Sequence, residues 1–238
     1  MQMKHVVSLY DFTGEALRPW ALGGYKCHAF DIQHKTNKVE VYPSGGSITY
    51  HYMDLHDPMM AFNLHDMFEG DDIVFGMAFP VCTDMAVSGA AHFAKKRKEN
   101  PWFQVEAVGH AKECSVFFGL RKIPFFIENP VSVLSTQWRK PDHIFHPYEY
   151  GGYIPESEST HPLWPEYIAP FDAYPKKTCL WTGGGFIMPE TKPVPVPEGY
   201  SDQHKKLGGK SQKTKDIRSA TPRGFAKAVF EANKVEGY

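Results

Sequence analysis

Residues 5–9 form a short run of apolar and β-branched positions that predicts a first strand. A turn is expected at 11–14. A short helix follows over 15–22, interrupted by Pro19 and closed by Gly23-Gly24. Residues 25–32 read as a second strand ending at Asp31. Residues 39–42 and 49–53 are short strands or loop, 59–68 is helical in pattern, and 73–79 is a buried strand. Residues 83–99 begin as loop and become a helix ending in Lys95, Lys96, Arg97 and Lys98. A long amphipathic helix spans 103–120, and another apolar strand spans 124–127. Strands alternating with helices predict an α/β domain with a parallel, doubly wound sheet and helices on both faces.

After Glu128 the periodicity fades. Residues 141–175 are rich in Pro, Tyr, His and Trp, and so long an irregular stretch reads as a lid or a small recognition lobe. A late strand is expected at 178–181 and an extended Pro-rich segment at 189–197. A final helix is expected over 221–233, with Thr221 as its N-cap and Pro222 at its first position. This gives a core over 1–140, an aromatic, Pro-rich and basic region over 141–220 that includes a late core strand, and a C-terminal helix over 221–238 packed on the core.

Composition alters this picture little. With 42% hydrophobic and 22% charged residues in a chain of 238, the protein is an ordinary globular α/β domain with an embellishment. No apolar run approaches the roughly 20 residues that cross a bilayer. Residues 1–10 hold one lysine and no small-residue cleavage site, so no signal peptide is expected. The four cysteines, Cys27, Cys82, Cys114 and Cys179, form no C-x-x-C pair, and reduced cytosolic thiols are expected. The histidines of the irregular region lack metal-ligand spacing, so no metal is assigned.

Charge distribution says more than its sum of −1. Residues 1–75 hold ten acids and five bases, while 176–227 hold eleven bases and four acids. An acidic front suits a cationic cofactor, and a basic back suits phosphate; a solvated basic tail is the plainer alternative.

Three loops carry candidate chemistry. Phe12-Thr13-Gly14 follows the first strand, where doubly wound folds bind nucleotides, and Asp31 ends the second, where such folds bond ribose hydroxyls. The strand at 73–79 runs into Phe79-Pro80-Val81-Cys82, placing a thiol at the sheet's carboxyl edge; a buried strand-end cysteine is the alternative. The next strand ends in Glu128-Asn129-Pro130. One cleft would then receive a thiol and a carboxylic acid.

These residues resemble the motifs of the DNA cytosine-5 methyltransferase family, closest to its compact, phage-type members. Asp72-Ile73, Pro80, Cys82 and Ser88-Gly89 match the nucleophile motif, and Glu128-Asn129 matches Glu-Asn-Val. Phe12-Thr13-Gly14, Asp31 and Asp54 match the cofactor loop, the ribose acid and the acid near adenine, and Thr221-Pro222-Arg223 with Ala226 matches the late helix. Val81, Thr83 and Ala16 depart from the family's Pro, Gln and Gly, there is no final Gly-Asn motif, and the Gln-x-Arg-x-Arg strand has only 174–181 to represent it, without its arginines.

The resemblance implies a Rossmann-like S-adenosylmethionine-dependent sheet and transfer of a methyl group to carbon 5 of cytosine through a covalent Cys82 adduct. Cys82, Glu128 and Asn129 would be catalytic. Phe12, Thr13, Gly14, Asp31, Ile32, Asp54 and Pro80 would hold S-adenosylmethionine and its product S-adenosylhomocysteine. Ser88, Lys95, Lys96, Arg97, Lys98, Arg139 and Lys177 would meet DNA, with Lys177 or Arg139 replacing the missing arginines. An RNA substrate, a modified donor, or a silent DNA- or cofactor-binding homologue are the alternatives. A cytoplasmic location, in a bacterium or a phage-infected host, is expected.

Overall fold

The computed structural model describes residues 3–198, 206–207, 211–235 and 237. Lys205 and Lys210 of the basic back half lie outside the described residues. The chain folds as an eight-stranded, mostly parallel mixed sheet flanked by helices, an α/β architecture compatible with a Rossmann-like fold. The strands are β1 (Lys4–Leu9), β2 (Lys26–Asp31), β3 (Lys38–Val41), β4 (Ser47–Tyr52), β5 (Asp72–Ala78), β6 (Phe125–Pro130), β7 (His143–Phe145) and β8 (Thr178–Gly183), in the order β3-β4-β2-β1-β5-β6-β8-β7. β4, β2, β1, β5 and β6 are parallel, and β3 and β8 run against their neighbours.

The helices are α1 (Arg18–Leu22), α2 (Met60–Met67), α3 (Phe93–Glu99), α4 (Phe103–Leu120), α5 (Leu134–Gln137), α6 (Gln212–Ser219) and α7 (Arg223–Asn233). They divide the core in two. On one face α2 and α4 cover Val7, Leu9, Phe30 and Ile127; on the other α1 and α7 cover Val6, Ala29, Phe75 and Phe126. β1 and β5 are central and apolar toward both faces, as a doubly covered strand must be. α4 buries Phe103, Val108, Ala111, Cys114, Phe117 and Phe118, a stripe at helical spacing. Gly76 of β5 permits this contact, because a Cβ there would lie 2.4 Å from the Phe118 ring.

One polar row crosses the α2 face. His5, His28 and His51, from β1, β2 and β4, join ring to ring at 3.1 and 3.0 Å, with Phe68 of α2 edge-on to His5 and His28. Burial holds all three imidazoles below their ordinary pKa, His28 down to about 3.

Two expectations change. The irregular stretch opens with β7, whose three residues are too few to show a period, and continues as short 3₁₀ turns at Pro147–Tyr153, Glu156–Glu158 and Pro170–Asp172. Thr221 does not cap the last helix. Its first turn is capped from afar by Asp172, whose Oδ2 accepts the backbone N–H groups of Arg223 at 2.6 Å and Gly224 at 3.3 Å. The Arg223 guanidinium donates to the carbonyls of Glu158, Ser159 and Thr160. Residues 158–172 are thereby tied to α7. The 141–220 region contributes β7 and β8 to the one sheet, and has a small apolar cluster of its own around Ile168, Tyr174, Leu207 and Ile217.

Candidate active site

Strand order reverses between β1 and β5, so the crevice outside their carboxyl ends is where an open sheet of this kind binds ligands. Register places the loops at one edge: Leu9 pairs with Phe30 and Ala78, Phe30 with His51, and Ala78 with Ile127. The loops bearing Phe12 to Gly14, Asp31 and Ile32, Asp54, Pro80 and Cys82, and Glu128 and Asn129 therefore share that edge.

The loop after β1 is built on Asp11. Its buried carboxylate accepts Ser8 Oγ at 2.7 Å and the Gly14 N–H at 2.7 Å, and Thr13 Oγ1 lies 3.5 Å away. Burial pushes the Asp11 carboxyl above its usual range. Gly14 has φ +68°, and a Cβ would come 2.7 Å from the Tyr50 hydroxyl, so only glycine fits the cradle. Phe12 is exposed and stacks on His34. Asp31 is nearly buried; its Oδ1 accepts the Gln33 N–H at 2.8 Å, and its Oδ2 has no partner among the described residues. Ile32 and Asp54 are exposed, and Asp54 Oδ1 accepts the His56 N–H. A small donor-and-acceptor cradle beside an exposed ring and a free carboxylate oxygen fits a nucleoside-bearing cofactor.

Cys82 opens a single 3₁₀ turn, Cys82–Asp84, and is partly exposed. That turn is fixed from three directions. Asn129 Nδ2 donates to the Pro80 carbonyl at 2.9 Å, so β6 holds the loop of β5. The Val87 N–H donates to Val131 and the Val133 N–H to Met85, at 3.0 Å each. Lys96 of α3 pairs with the Asp84 carboxylate and donates to the Thr83 carbonyl at 3.1 Å.

Glu128 projects from β6 beside a slot lined by Phe79, Phe145, Phe225, Thr178 and Lys176. Its Oε1 is closed off from solvent and has no partner among the described residues, as are Asn129 Oδ1 and Ser132 Oγ. Each such group costs about 1–3 kcal/mol when left without a partner, so these three favour a polar ligand or water at this end of the sheet. Burial raises the Glu128 carboxyl above its usual pKa, opposed by the charge of Lys176. Burial, then the Glu128 charge, raise the Cys82 thiol, again opposed by Lys176. The slot is about 10 Å³, room for one water and not for a ring. Cys82 does not line the slot, and a base can enter only if lining residues such as those of the 220–222 segment part.

The predicted phosphate-facing residues do not form one group. Ser88, Lys95, Arg97 and Lys98 are exposed, with Lys95 3.9 Å from Glu99 and Arg97 3.4 Å from Gln104. Lys96 is committed to the Cys82 turn. Arg139 stands apart from the site: it grips Asp142 through two hydrogen bonds and the Thr182 carbonyl at 2.9 Å, at the opposite end of β8 from Thr178. Lys177 is exposed on the side of Cys179, away from the slot. Sequence reasoning missed Lys176 and Asp11. The alternation of 176, 178 and 180 before a late strand could have found the first, and the Ser8/Asp11 pair in a strand-end turn the second. Among the described residues no His, Cys, Asp and Glu cluster could hold a metal ion, and no helix is long and apolar enough to cross a membrane. No protein-family model matches the chain, and no curated protein matches it significantly.

Proposed function

We propose that this chain is a DNA cytosine-5 methyltransferase. The carrying observation is the pairing, on adjacent strand ends next to the switch-point crevice, of a partly exposed Cys82 with a half-buried Glu128 whose Oε1 is enclosed and has no partner among the described residues. The motif resemblance supplies the reaction, and the geometry supports it. Gly14, Asp31 and Phe12 would hold S-adenosylmethionine, which supplies an electrophilic methyl group when bound.

The chain's own residues have four tasks. Cys82 Sγ, as thiolate, bonds to carbon 6 of a cytosine lifted out of its stack. The ring's displaced electron pair is received at N3, where Glu128 donates its proton. Carbon 5 would then take the methyl group, with S-adenosylhomocysteine as the leaving group, and lose its hydrogen as a proton to a water molecule. The electrons of that C–H bond restore the ring double bond, the Cys82–carbon 6 bond breaks with its pair returning to sulfur, and N3 returns its proton to Glu128. Asn129 holds the Pro80 carbonyl and so the aim of Sγ. Phe79, Phe145 and Phe225 keep water from the adduct.

The test is DNA carrying 5-fluorocytosine, incubated with donor. A covalent complex is expected with the parent protein and none with Cys82→Ser, because fluorine cannot leave as a cation. Nucleoside mass spectrometry of ordinary DNA and RNA separates the two substrates. Absence of both adduct and 5-methylcytosine would sink the reading.

A further inference from the structure

Lys176 precedes β8 by two residues, just past the edge where Thr178 pairs with Pro130. Strand alternation sends 176 and 178 to the slot that Glu128 lines, while Cys179 packs in the α4-side core and Lys177 stays exposed. The Lys176 ammonium is held in place by one hydrogen bond, to the Arg218 carbonyl at 2.8 Å in the last turn of α6. Arg218 in turn donates to the Leu207 carbonyl at 2.8 Å. An ammonium has three donors, so two remain for the slot. Arg139 and Lys96, the other cations near β8 and the Cys82 turn, are engaged elsewhere.

The ionisable groups that act on Cys82 are Glu128 and Lys176, and Lys176 is the group that acts on Glu128. Two acidic groups and one cation give a site that is neutral when a single negative charge is shared between sulfur and carboxyl. Both ionised leaves a net negative charge in a poorly solvated slot, and neither ionised leaves an unpaired ammonium. The neutral states include the thiolate beside a carboxylic acid, the combination the addition step needs.

We propose that Lys176 is the counter-ion of this centre, a positioning residue whose charge stabilises the single negative charge that Cys82 and Glu128 share and so keeps the minor form, thiolate beside carboxylic acid, within reach. The proposal rests on the reading of Cys82 as nucleophile, and adds the residue that makes it one.

The experiment needs no DNA. Cys82 alkylation by iodoacetamide, a displacement in which sulfur bonds to carbon and iodide leaves, is followed against pH on the full chain by peptide mass spectrometry. Buried Cys27, on the far face of β2 and acted on by neither Glu128 nor the two lysines, serves as an internal reference. Lys176→Gln keeps a donor for the Arg218 carbonyl and removes the charge. Its alkylation midpoint should move to higher pH, with about tenfold slower labelling at fixed pH for each unit of movement. Lys176→Arg should restore the parent profile, and Lys177→Gln should leave it unchanged. A Lys176→Gln profile that superimposes on the parent's overturns the proposal. Should Lys176→Gln fail to fold, Lys176→Met carries the same comparison. A parent that traps no fluorinated DNA while Lys176→Gln still shifts the labelling removes the methyltransferase reading and leaves the counter-ion assignment standing.

Discussion

On the proposed mechanism Glu128 and Cys82 would meet opposite demands, and their surroundings set how each is met. The carboxyl must be protonated to donate to the base, and burial raises its pKa, which favours that form. The thiol must be ionised to attack, and burial raises its pKa too, which opposes that form. The product of the two fractions rises with pH up to the Glu128 pKa, stays level between the two, and falls above that of Cys82. A plateau in kcat/KM bounded by these two groups is expected, because that ratio reports the free enzyme. Glu128→Gln cannot titrate. Its rate should lie about 10²–10⁴-fold below the parent's and climb with pH across the whole range below the thiol pKa. A Glu128→Gln profile that keeps the parent's lower bend would assign that bend to another group. Cys82 and Glu128 were legible because each ends a short apolar run. Lys176 was signalled only by its alternation with 178 and 180, because the groups it faces lie far from it in sequence, on β6 and in the loop after β5.

At the scale of elements, strands 4–9, 26–31, 72–78 and 125–130 and the 103–120 helix stand where apolar periodicity puts them. The misses have one cause: contacts made across long sequence separations. Asp172 caps α7 from 51 residues away, a relation no local capping motif can announce. Asp172→Ala should cost about 1–2 kcal/mol, since it strips a buried helix start of its acceptor. Thr221→Ala should cost well under that, and chemical denaturation compares the two. The histidine row belongs to this scale as well. In the neutral row each ring can donate one hydrogen bond and accept the next, whereas a protonated His28 has a proton on both nitrogens and cannot accept. Asp71, 3.9 Å from His5, favours protonation at one end, while Lys26 and His34 oppose it at His28 and His51. The folded pKa of His28 lies below its unfolded value, so unfolding takes up protons below about pH 6.5. Stability is complete above that pH and is lost as pH falls toward 3. His28→Phe should flatten this loss in pH-dependent urea melts, and an unchanged slope would place the acid sensitivity elsewhere.

At the scale of the whole molecule, the doubly wound class follows from the alternation of strand and helix, and the switch point follows from strand order alone. The late strand expected at 178–181 is β8, but sequence could not show that β7 pairs with it to close the sheet, because β7 has only three residues. Of the acidic front, Asp11, Glu15 and Asp31 are buried near the carboxyl edge, whereas Asp71 and Asp72 lie at the opposite end of the sheet. Glu15 is paired with Arg18 at 3.1 Å, whereas Asp11 lies in the field of Asp31, so a cationic ligand there would relieve like-charge repulsion. This makes ligand linkage the test of the crevice. S-adenosylhomocysteine, which keeps the nucleoside and loses the sulfonium charge, should stabilise through its ribose and adenine alone. At 100 times its dissociation constant the gain is about 2.7 kcal/mol, which for a domain of this size is roughly 5–10 °C in Tm. S-adenosylmethionine carries the extra positive charge and should bind more tightly, by a margin that shrinks with added salt. Asp31→Ala should remove most of the shift for both ligands, because Asp31 Oδ2 is the acceptor left for a ribose hydroxyl, while raising or sparing the ligand-free Tm by relieving the crowded charge. Phe12→Ala should weaken both ligands without that gain. Calorimetry that finds neither ligand bound at millimolar concentration, with the parent folded, would show that the edge of this sheet serves something other than a methyl donor.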